Sequence, residues 1–357
     1  MASGGVLSAA PKVTPRVTPR VTVVTPVYNR AAYVAASLDS ILAQSFADFE
    51  LLVVDDGSTD NSRAIIEARD DPRIRLVVNE RNRGIAATRN RAVGLARGAY
   101  LAFLDSDDIA CPDRLARQVD FLDRHPDIAA VGGWVAWMDE SGRRRGKIKR
   151  LATEPDDIAA QRLFRPGMVN SAAMARSDIL AQFPHREELR VGSDFQMWAR
   201  FAGRHKMANL PEVLVMVRRH GQRITAALED QVAAVRTSIY AAQLEALAIA
   251  FTETDLERHF MLRRMHKVGF TPDRDYLDWA ETWLLGLQAA NAAAGLYPEP
   301  AFCHELGVFW AKACRHGSAP GRFLTSPLSH AAWPGLWKLV RRYTPIPLPR
   351  RSAAPAA

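Results

Sequence analysis

The chain has 357 residues, of which 48% are hydrophobic and 24% are charged. These values are typical of a folded protein and exclude a wholly disordered or fibrous one. No apolar run approaches the ~18–20 residues of a membrane-spanning helix, and residues 1–10 lack the pattern of a secretory signal. Three cysteines are too few for a disulfide framework and fit a reducing cytoplasm. We therefore expect a cytoplasmic protein of one large domain with additions, or of two domains.

Positive charge is concentrated at the end of the chain. Lys and Arg number 47 against 39 Asp and Glu, for a formal net charge of +8. Residues 303–357 contain eight Lys or Arg and a single Glu. A basic tail favours an anionic partner such as a membrane surface, a nucleic acid or a phosphorylated substrate, although a purely solubilising tail has the same composition.

Residues 1–20 form a low-complexity leader in which the tetrapeptide Val-Thr-Pro-Arg repeats. Proline at every fourth position predicts disorder there. From Val21 onward, strand and helix patterns alternate four times, with the strands predicted at 21–25, 49–54, 74–78 and 100–104. This alternation predicts an α/β fold with a mostly parallel, Rossmann-like sheet flanked by helices. Ligands of such sheets bind at the carboxyl ends of the strands.

The pattern changes after Pro112. A helix around Leu115 is followed by predicted strands at 128–131, 134–138, 169–174 and 213–217 and by a helix at 194–202. From residue 226 the strand signals vanish, and Ala- and Leu-rich stretches predict helices at 232–251 and 275–293. The expected organisation is therefore a domain at 21–225 with halves at 21–110 and 111–225, a helical region at 226–316, and a loosely ordered, basic, proline-containing tail at 317–357.

Two acidic clusters follow predicted strands. Asp55 and Asp56 end the second strand, and Asp105, Asp107 and Asp108 follow the fourth. Carboxylates this close raise one another's pKa unless a cation lies among them, and their oxygens suit Mg²⁺ or Mn²⁺. An isolated Asp-x-Asp is more often a polar turn, but a second cluster at another strand end favours a metal site.

Several sequence motifs occur together in one order, at 23–29, 40–58, 82–84, 87–90 and 98–108. In this order they closely resemble the family 2 glycosyltransferases, from Val21 to about Met138 and more weakly to about Thr225. The resemblance implies a GT-A fold. It also implies transfer of a sugar from a nucleotide-diphospho-sugar, with UDP as the expected nucleotide, to an acceptor hydroxyl with inversion. Synthesis of a cell-surface polysaccharide or glycolipid is the expected setting.

The resemblance also implies positions that contact the donor nucleotide. Thr25, Pro26 and Tyr28 match the loop that borders the base and ribose. Asp56 matches the aspartate that bonds the base, and a carboxylate can accept a hydrogen bond from a uracil N3–H. Asp55 is expected to hold the loop instead.

A second group of positions matches the metal and diphosphate contacts of the family. Asp105 opens the motif, and Asp107 and Asp108 match the ribose and metal contacts. The implied ion, Mg²⁺ or Mn²⁺, stabilises the leaving nucleotide as a Lewis acid. Arg89 matches a position near the nucleotide, with an exposed helix arginine as the alternative. His220 ends a basic segment that can approach the diphosphate or the metal, with a surface turn as the alternative.

The family places its general base at the start of a helix after the acceptor-side strands, and Asp194 fits that place. It would take the proton from the acceptor hydroxyl as that oxygen attacks the sugar C1. Ser193 stands where the commoner family form has a further acid. The alternative is that Asp194 only caps the helix.

Two other functions remain open from the sequence: a sugar nucleotidyltransferase, and a non-catalytic module that binds nucleic acid or membrane through the basic tail. A sugar nucleotidyltransferase normally needs a glycine-rich phosphate loop after the first strand, and this chain has none there. Trp333, Trp337 and Tyr343 lie among the basic residues, a mixture that suits a membrane interface. We expect a nucleotide-sugar donor and a sugar or lipid-linked sugar acceptor as partners. We also expect peripheral contact with the inner face of the membrane through the tail, and no nucleic acid.

Overall fold

A computed structural model describes residues 18–221 and 229–343. Most of the predicted leader, residues 1–17, and the proline-containing end of the tail, residues 344–357, lie outside the described residues. So does the segment 222–228, which includes the predicted boundary between the two main regions.

The first region is built on one mixed sheet of nine strands. In chain order they are β1 Val21–Val27, β2 Phe49–Asp55, β3 Ile74–Val78, β4 Tyr100–Phe103, β5 Ile109–Ala110, β6 Ile128–Met138, β7 Arg144–Lys149, β8 Met174–Arg176 and β9 Lys206–Arg218. Their spatial order is β3-β2-β1-β4-β8-β6-β9-β5, with β7 paired to β6. Strands β1 to β4 are parallel to one another, as are β6 and β9, whereas β5, β7 and β8 run antiparallel to their partners. The predicted mostly parallel sheet is confirmed for its first four strands, and the second half adds the antiparallel ones.

Helices cover both faces of this sheet. They are α1 Val34–Leu42, α2 Ser62–Glu67, α3 Ile85–Leu95, α4 Arg114–Arg124, α5 Pro155–Gln161, α6 Ser177–Leu180 and α7 Ser193–Ala202. All residues of β1 and β2 are buried, as β-branched runs in a central parallel sheet require. Because side chains alternate along a strand, Val23 and Val53 join one hydrophobic core while Val24 and Val54 join a second core on the other face.

The rest of the described chain is helical, as predicted for the part up to residue 316. Its helices are α8 Glu229–Ala246, α9 Glu253–Val268, α10 Arg274–Ala294, α11 Ala301–His316, α12 Pro320–Thr325 and α13 Leu328–Tyr343. They enclose their own apolar core around Phe302 and Trp310, and Leu163 and Phe164 after α5 enter that core from the sheet region. Within the described ranges, no helix combines the length and the apolarity needed to cross a membrane.

Three expectations of secondary structure are wrong. The two strands predicted at 128–131 and 134–138 are one strand, β6, that continues through Gly132 and Gly133. A Cβ at either glycine would come within 2.4–2.5 Å of a side chain on or next to β9, so these glycines allow close strand packing rather than a break. The strand predicted at 169–174 is a 3₁₀ turn at Asn170–Ala172 followed by β8.

The third correction concerns the tail. Residues 320–343 form the helices α12 and α13 instead of loosely ordered chain. The reason is close packing of α13 against α11. A Cβ at Gly307 of α11 would lie 2.5 Å from the backbone nitrogen of Ala332, so the two helices can approach only because this residue is glycine.

Candidate active site

The three aspartates that follow β4 lie in one turn but in different environments. The backbone N–H of Asp108 donates to the carbonyl of Asp105 at 3.0 Å and closes the turn. The side chains of Asp105 and Asp107 are 37% and 19% exposed, whereas Asp108 is buried and accepts a 3.0 Å hydrogen bond from the backbone N–H of Arg218. Burial, followed by the charges of Asp107 and Asp105, raises the pKa of Asp108 well above its usual value.

The end of β9 brings a histidine and an arginine to this turn. The ring Nε2 of His220 lies 2.9 Å from Oδ2 of Asp107, and its side chain is fully buried. The guanidinium of Arg218 donates to the backbone carbonyl of Asp107 at 2.9 Å. Tyr33 packs against the His220 ring with a centroid distance of 4.8 Å. The structure thus places His220 directly on Asp107 and buries it, so the alternative of a surface turn is wrong for this side chain.

Arg89 lies in the same site and contacts the first aspartate of the acidic turn. Its Nη2 donates to Oδ1 of Asp105 at 2.7 Å, and the residue is buried, which excludes the exposed helix arginine considered above. Burial opposes its charge, but the carboxylates of Asp105, Asp194 and Asp107 together raise its pKa. Its Nε is buried and has no hydrogen-bond partner among the described residues. One buried donor of the guanidinium is therefore without a described partner.

Asp194 lies near Arg89, at the start of α7. The N-cap of this helix is Gly192, in the left-handed region at φ 72°, and Asp194 is the second residue of the helix. Its carboxylate makes no hydrogen bond or ion pair with the described residues, so the interpretation as a helix cap is wrong. Burial of Phe195 and Trp198 on the same helix fixes its position.

Asp56 anchors the loop that leads to Arg89. Its Oδ1 accepts hydrogen bonds from the Asn79 side chain at 2.6 Å and from the Arg83 backbone at 2.9 Å. Its Oδ2 accepts from the backbone of Gly84 at 2.9 Å. One carboxylate thus positions the N-terminus of α3, while its neighbour Asp55 accepts from the backbone N–H of Ser58 at 3.3 Å.

The remaining predicted donor residues lie at the carboxyl end of β1. The pairing of β1 with β4 ends at Val24, so Pro26 lies beyond that ladder, where a missing N–H is tolerated. Thr25 is buried, and its hydroxyl has no hydrogen-bond partner among the described residues. Tyr28 follows the strand and is exposed.

Two residues of the site have no counterpart among the predicted ones. The Nε of Arg30 lies 3.5 Å from Oδ2 of Asp107. Arg30 directly follows the 23–29 motif, so its position in the sequence could have identified it as a site residue. His185 is buried near Arg89, and neither ring nitrogen has a partner among the described residues. Burial and the charge of Arg89 lower the pKa of His185 to about 3. The residues around it show no pattern from which the sequence could have identified it.

The acidic turn fits a divalent cation only if a ligand completes the site. The described residues hold no group of three His, Cys, Asp or Glu side chains arranged for a metal ion. Mg²⁺ and Mn²⁺ sites commonly use one or two carboxylates together with substrate phosphates. Asp107 offers one partly exposed carboxylate. Burial, and then the charges of Asp107 and Asp105, raise the pKa of Asp108, so a cation beside these carboxylates would be favourable. The donor set therefore fits such an ion held jointly with a diphosphate.

Comparison with known proteins agrees with this architecture. The model of glycosyl transferase family 2 matches residues 22–183. The putative glycosyltransferase EpsE of Bacillus subtilis is 34% identical over 216 residues, which are 59% of this chain and 74% of that protein. The UDP-Glc:alpha-D-GlcNAc-diphosphoundecaprenol beta-1,3-glucosyltransferase WfgD of Escherichia coli is 42% identical over 100 residues, 28% of this chain and 40% of that protein.

The fold also has solved counterparts. The crystal structure of S. aureus TarS 1-349 in complex with UDP-GlcNAc superposes with a TM-score of 0.54 at 18% identity and covers 84% of this chain and 89% of that one. At this identity the likeness concerns the fold alone. The strand order, the acidic turn after β4 and these matches agree, and the chain belongs to glycosyltransferase family 2, with a GT-A type fold extended by C-terminal helices.

Proposed function

We propose that this glycosyltransferase transfers a sugar from a UDP-sugar to an acceptor hydroxyl with inversion, in the synthesis of a cell-surface polysaccharide or glycolipid. One observation carries the proposal. Asp105, Asp107, Arg89 and Asp194 come from three separate elements and meet at the carboxyl ends of the parallel strands. That edge is where sheets of this type bind nucleotides.

The donor nucleotide would lie against the ends of β1 and β2. Thr25 offers a buried hydroxyl without a partner, and Tyr28 an exposed ring that can stack on a base. Pro26 shapes the strand end between them. Asp56 has lone-pair capacity left on Oδ2 beyond its bond to Gly84. The names of WfgD and of the TarS complex include UDP-Glc and UDP-GlcNAc, which supports UDP as the nucleotide.

The donor diphosphate and its Mg²⁺ or Mn²⁺ would be held at the acidic turn. Asp107 and Asp108 are the proposed metal ligands, and Asp105 and His220 the neighbouring contacts to the donor. Such an ion supplies Lewis-acid stabilisation of the leaving nucleotide. Arg89 keeps its unpartnered Nε for a phosphate or sugar oxygen, and Arg forks suit such groups.

Asp194 is the proposed general base. Inversion by a single displacement needs one group that accepts the proton of the acceptor hydroxyl as it attacks C1. The Asp194 carboxylate has no hydrogen-bond partner among the described residues, and it lies near Arg89 at the start of α7. Its oxygens are therefore not engaged by another donor of the described chain.

Asp194→Asn tests this role. The amide keeps the size of the side chain but cannot accept the proton, so turnover should fall by about 10²–10⁴-fold. Donor affinity should stay near the wild-type value, since no donor contact is removed. Asp178→Asn, in the first turn of α6, is the matched control and should leave turnover unchanged. Sugar transfer at the wild-type rate by Asp194→Asn would remove Asp194 as the base.

The acceptor is proposed to be a sugar or a lipid-linked sugar at the inner face of the membrane, reached by peripheral contact through the C-terminal helices and basic tail. Leu324, Trp333 and Trp337 are 70%, 61% and 59% exposed. Large apolar side chains at this exposure, next to a basic segment, suit an anionic lipid surface. The acceptor named for WfgD, a diphosphoundecaprenol-linked sugar, is of this lipid-linked kind.

A further inference from the structure

The hairpin strand β7 carries the densest positive charge of the described chain. Six of the eight residues from 143 to 150 are Arg or Lys, and the first five are exposed. Arg145 forms an ion pair with Asp139 at 2.8 Å. By contrast, Arg143, Arg144 and Lys147 form no ion pair with any described residue. We call these three side chains the basic arm.

The basic arm begins close to the acidic turn. Arg144 pairs with Met138 of β6, and Met138 pairs with Arg218 of β9. Two strand spacings amount to ~10 Å. Since the backbone N–H of Arg218 bonds to the carboxylate of Asp108 at 3.0 Å, the basic arm starts within roughly 10–15 Å of the proposed reaction centre.

An open cavity of about 610 Å³ lies beside the acidic turn, at the turn that leads into the basic arm. The turn between β6 and β7 lines one side through Asp139, Glu140 and Ser141, and Arg219, His220 and Gly221 line the other. His220 is the residue that contacts Asp107. Arg219 is exposed and lies with its guanidinium 4.1 Å from the ring centroid of Trp137. A molecule in this cavity therefore contacts His220 of the proposed centre and Arg219, and the basic arm begins two residues after Ser141 of the lining.

The position in the sheet assigns this cavity to the acceptor side. The proposed nucleotide contacts lie on β1 and β2, on one side of the acidic turn, and β6, β7 and β9 lie on the other. In an inverting displacement the attacking hydroxyl approaches opposite the leaving nucleotide. We propose, on the basis of the proposed transferase function, that the basic arm and Arg219 bind a phosphate or diphosphate group carried by the sugar acceptor. Guanidinium groups bind phosphate in a bidentate manner, which favours this chemistry over a neutral acceptor.

The test uses the full chain and inorganic pyrophosphate as the probe. Binding is measured by calorimetry in the presence of saturating UDP, so that a site shared with the donor does not contribute. The test variant removes the three charges of the basic arm: Arg143→Gln, Arg144→Gln and Lys147→Gln. The control variant removes three exposed charges that form i,i+4 ion pairs on α2, α4 and α10: Arg63→Gln, Arg124→Gln and Arg274→Gln.

The wild-type chain and the control should bind pyrophosphate alike, and the basic-arm variant at least about tenfold more weakly, the effect of one lost charge-assisted hydrogen bond or more. The affinity of the basic-arm variant should also depend less on salt. Equal binding by all three proteins would overturn the proposal and leave the charges as protection of an edge strand.

A basic-arm variant that keeps pyrophosphate binding but loses binding to phosphatidylglycerol vesicles would also overturn the proposal, because the strand would then be a membrane surface. Failure of the proposed function is separately visible. A wild-type chain that binds pyrophosphate through the basic arm but binds no UDP-sugar would refute the transferase chemistry and leave the anion site standing.

Discussion

The burial of His259 leads us to expect that the helical region loses stability measurably at acidic pH. It is buried between α9 and α10 and stacks on Phe164 with a centroid distance of 4.7 Å. Its Nε2 lies 3.0 Å from the carbonyl of Leu163, and its Nδ1 accepts from the indole N–H of Trp283 at 3.0 Å. The neutral ring with its proton on Nε2 satisfies both partners. Protonation of Nδ1 would place an N–H against the N–H of Trp283.

The size of the stability loss at low pH follows from the pKa of His259. Burial lowers the pKa of His259 from 6.5 to about 4, so the unfolded chain binds a proton more readily than the folded one. The stabilising contribution is complete above pH 6.5 and is lost as the pH falls toward 4. At pH 5 the loss amounts to about 2 kcal/mol, and near pH 4 to about 3 kcal/mol.

His259→Gln isolates this effect, because the amide can donate to Leu163 and accept from Trp283 but does not titrate in this range. Urea unfolding followed by tryptophan fluorescence at pH 7 and pH 5 gives the change in the free energy of unfolding for each protein. The decrease between these pH values should be about 2 kcal/mol smaller in His259→Gln than in the wild type. His125→Gln, at an exposed histidine, is the control and should behave as the wild type. A decrease of equal size in wild type and His259→Gln would refute the reasoning.

Two further predictions concern packing and the membrane. Gly98→Ala should lower the free energy of unfolding by about 1–3 kcal/mol, since its Cβ would lie 2.4 Å from a backbone nitrogen of β1. At Gly94, which lies in a helix, an added Cβ would meet no atom within 4 Å, so Gly94→Ala should instead raise the free energy of unfolding by about 0.5–1 kcal/mol. Chemical denaturation measures the stability of both variants. A Gly98→Ala variant as stable as the wild type would contradict the argument. Replacing Trp333 and Trp337 by Ser should weaken binding to phosphatidylglycerol vesicles by at least about tenfold while UDP-sugar binding persists, and unchanged sedimentation with vesicles would exclude this face as the membrane contact.

The sequence predicts the first half of the fold well because that half is made of local patterns. Strands β1 to β4 each begin at the predicted residue and end within two residues of the predicted end, since apolar β-branched runs alternate there with amphipathic helices. The same local rules fail at Gly132 and Gly133. Glycine suggests a break, but here it permits close packing against β9. Likewise α12 and α13 owe their order to packing on α11, which no local signal contains.

In the candidate site, too, local sequence patterns predict some features and only the tertiary structure shows the others. That Asp55, Asp56 and the acidic turn lie along one edge follows from strand topology and needs no structure. That Asp108 is buried while Asp105 and Asp107 are partly exposed does not follow, because consecutive residues of a turn point in different directions. His185 illustrates the limit. Its place in the site depends on a long-range contact with α3, through backbone hydrogen bonds to Asn90, and not on its own neighbourhood.

The two halves of the sheet region are bound together at the site itself. The buried guanidinium of Arg114, on α4, donates to the carbonyl of Phe103 at the end of β4 and to that of Ala173 beside β8. Gln118, one turn further along α4, donates to Val131 on β6 and to Ala172. These bonds satisfy backbone carbonyls at the place where the parallel strands meet the antiparallel ones, and unsatisfied buried carbonyls are costly.

The acidic turn extends directly from this junction. Its carboxylates are held by partners from the second half: Asp107 by His220, and Asp108 by the backbone of Arg218. The first half of the sheet region therefore supplies the acids of the turn, and the second half fixes their orientation and adds Asp194, the proposed base. The proposed donor and acceptor contacts therefore do not belong to two independent units, because residues of the second half hold the carboxylates that the first half presents.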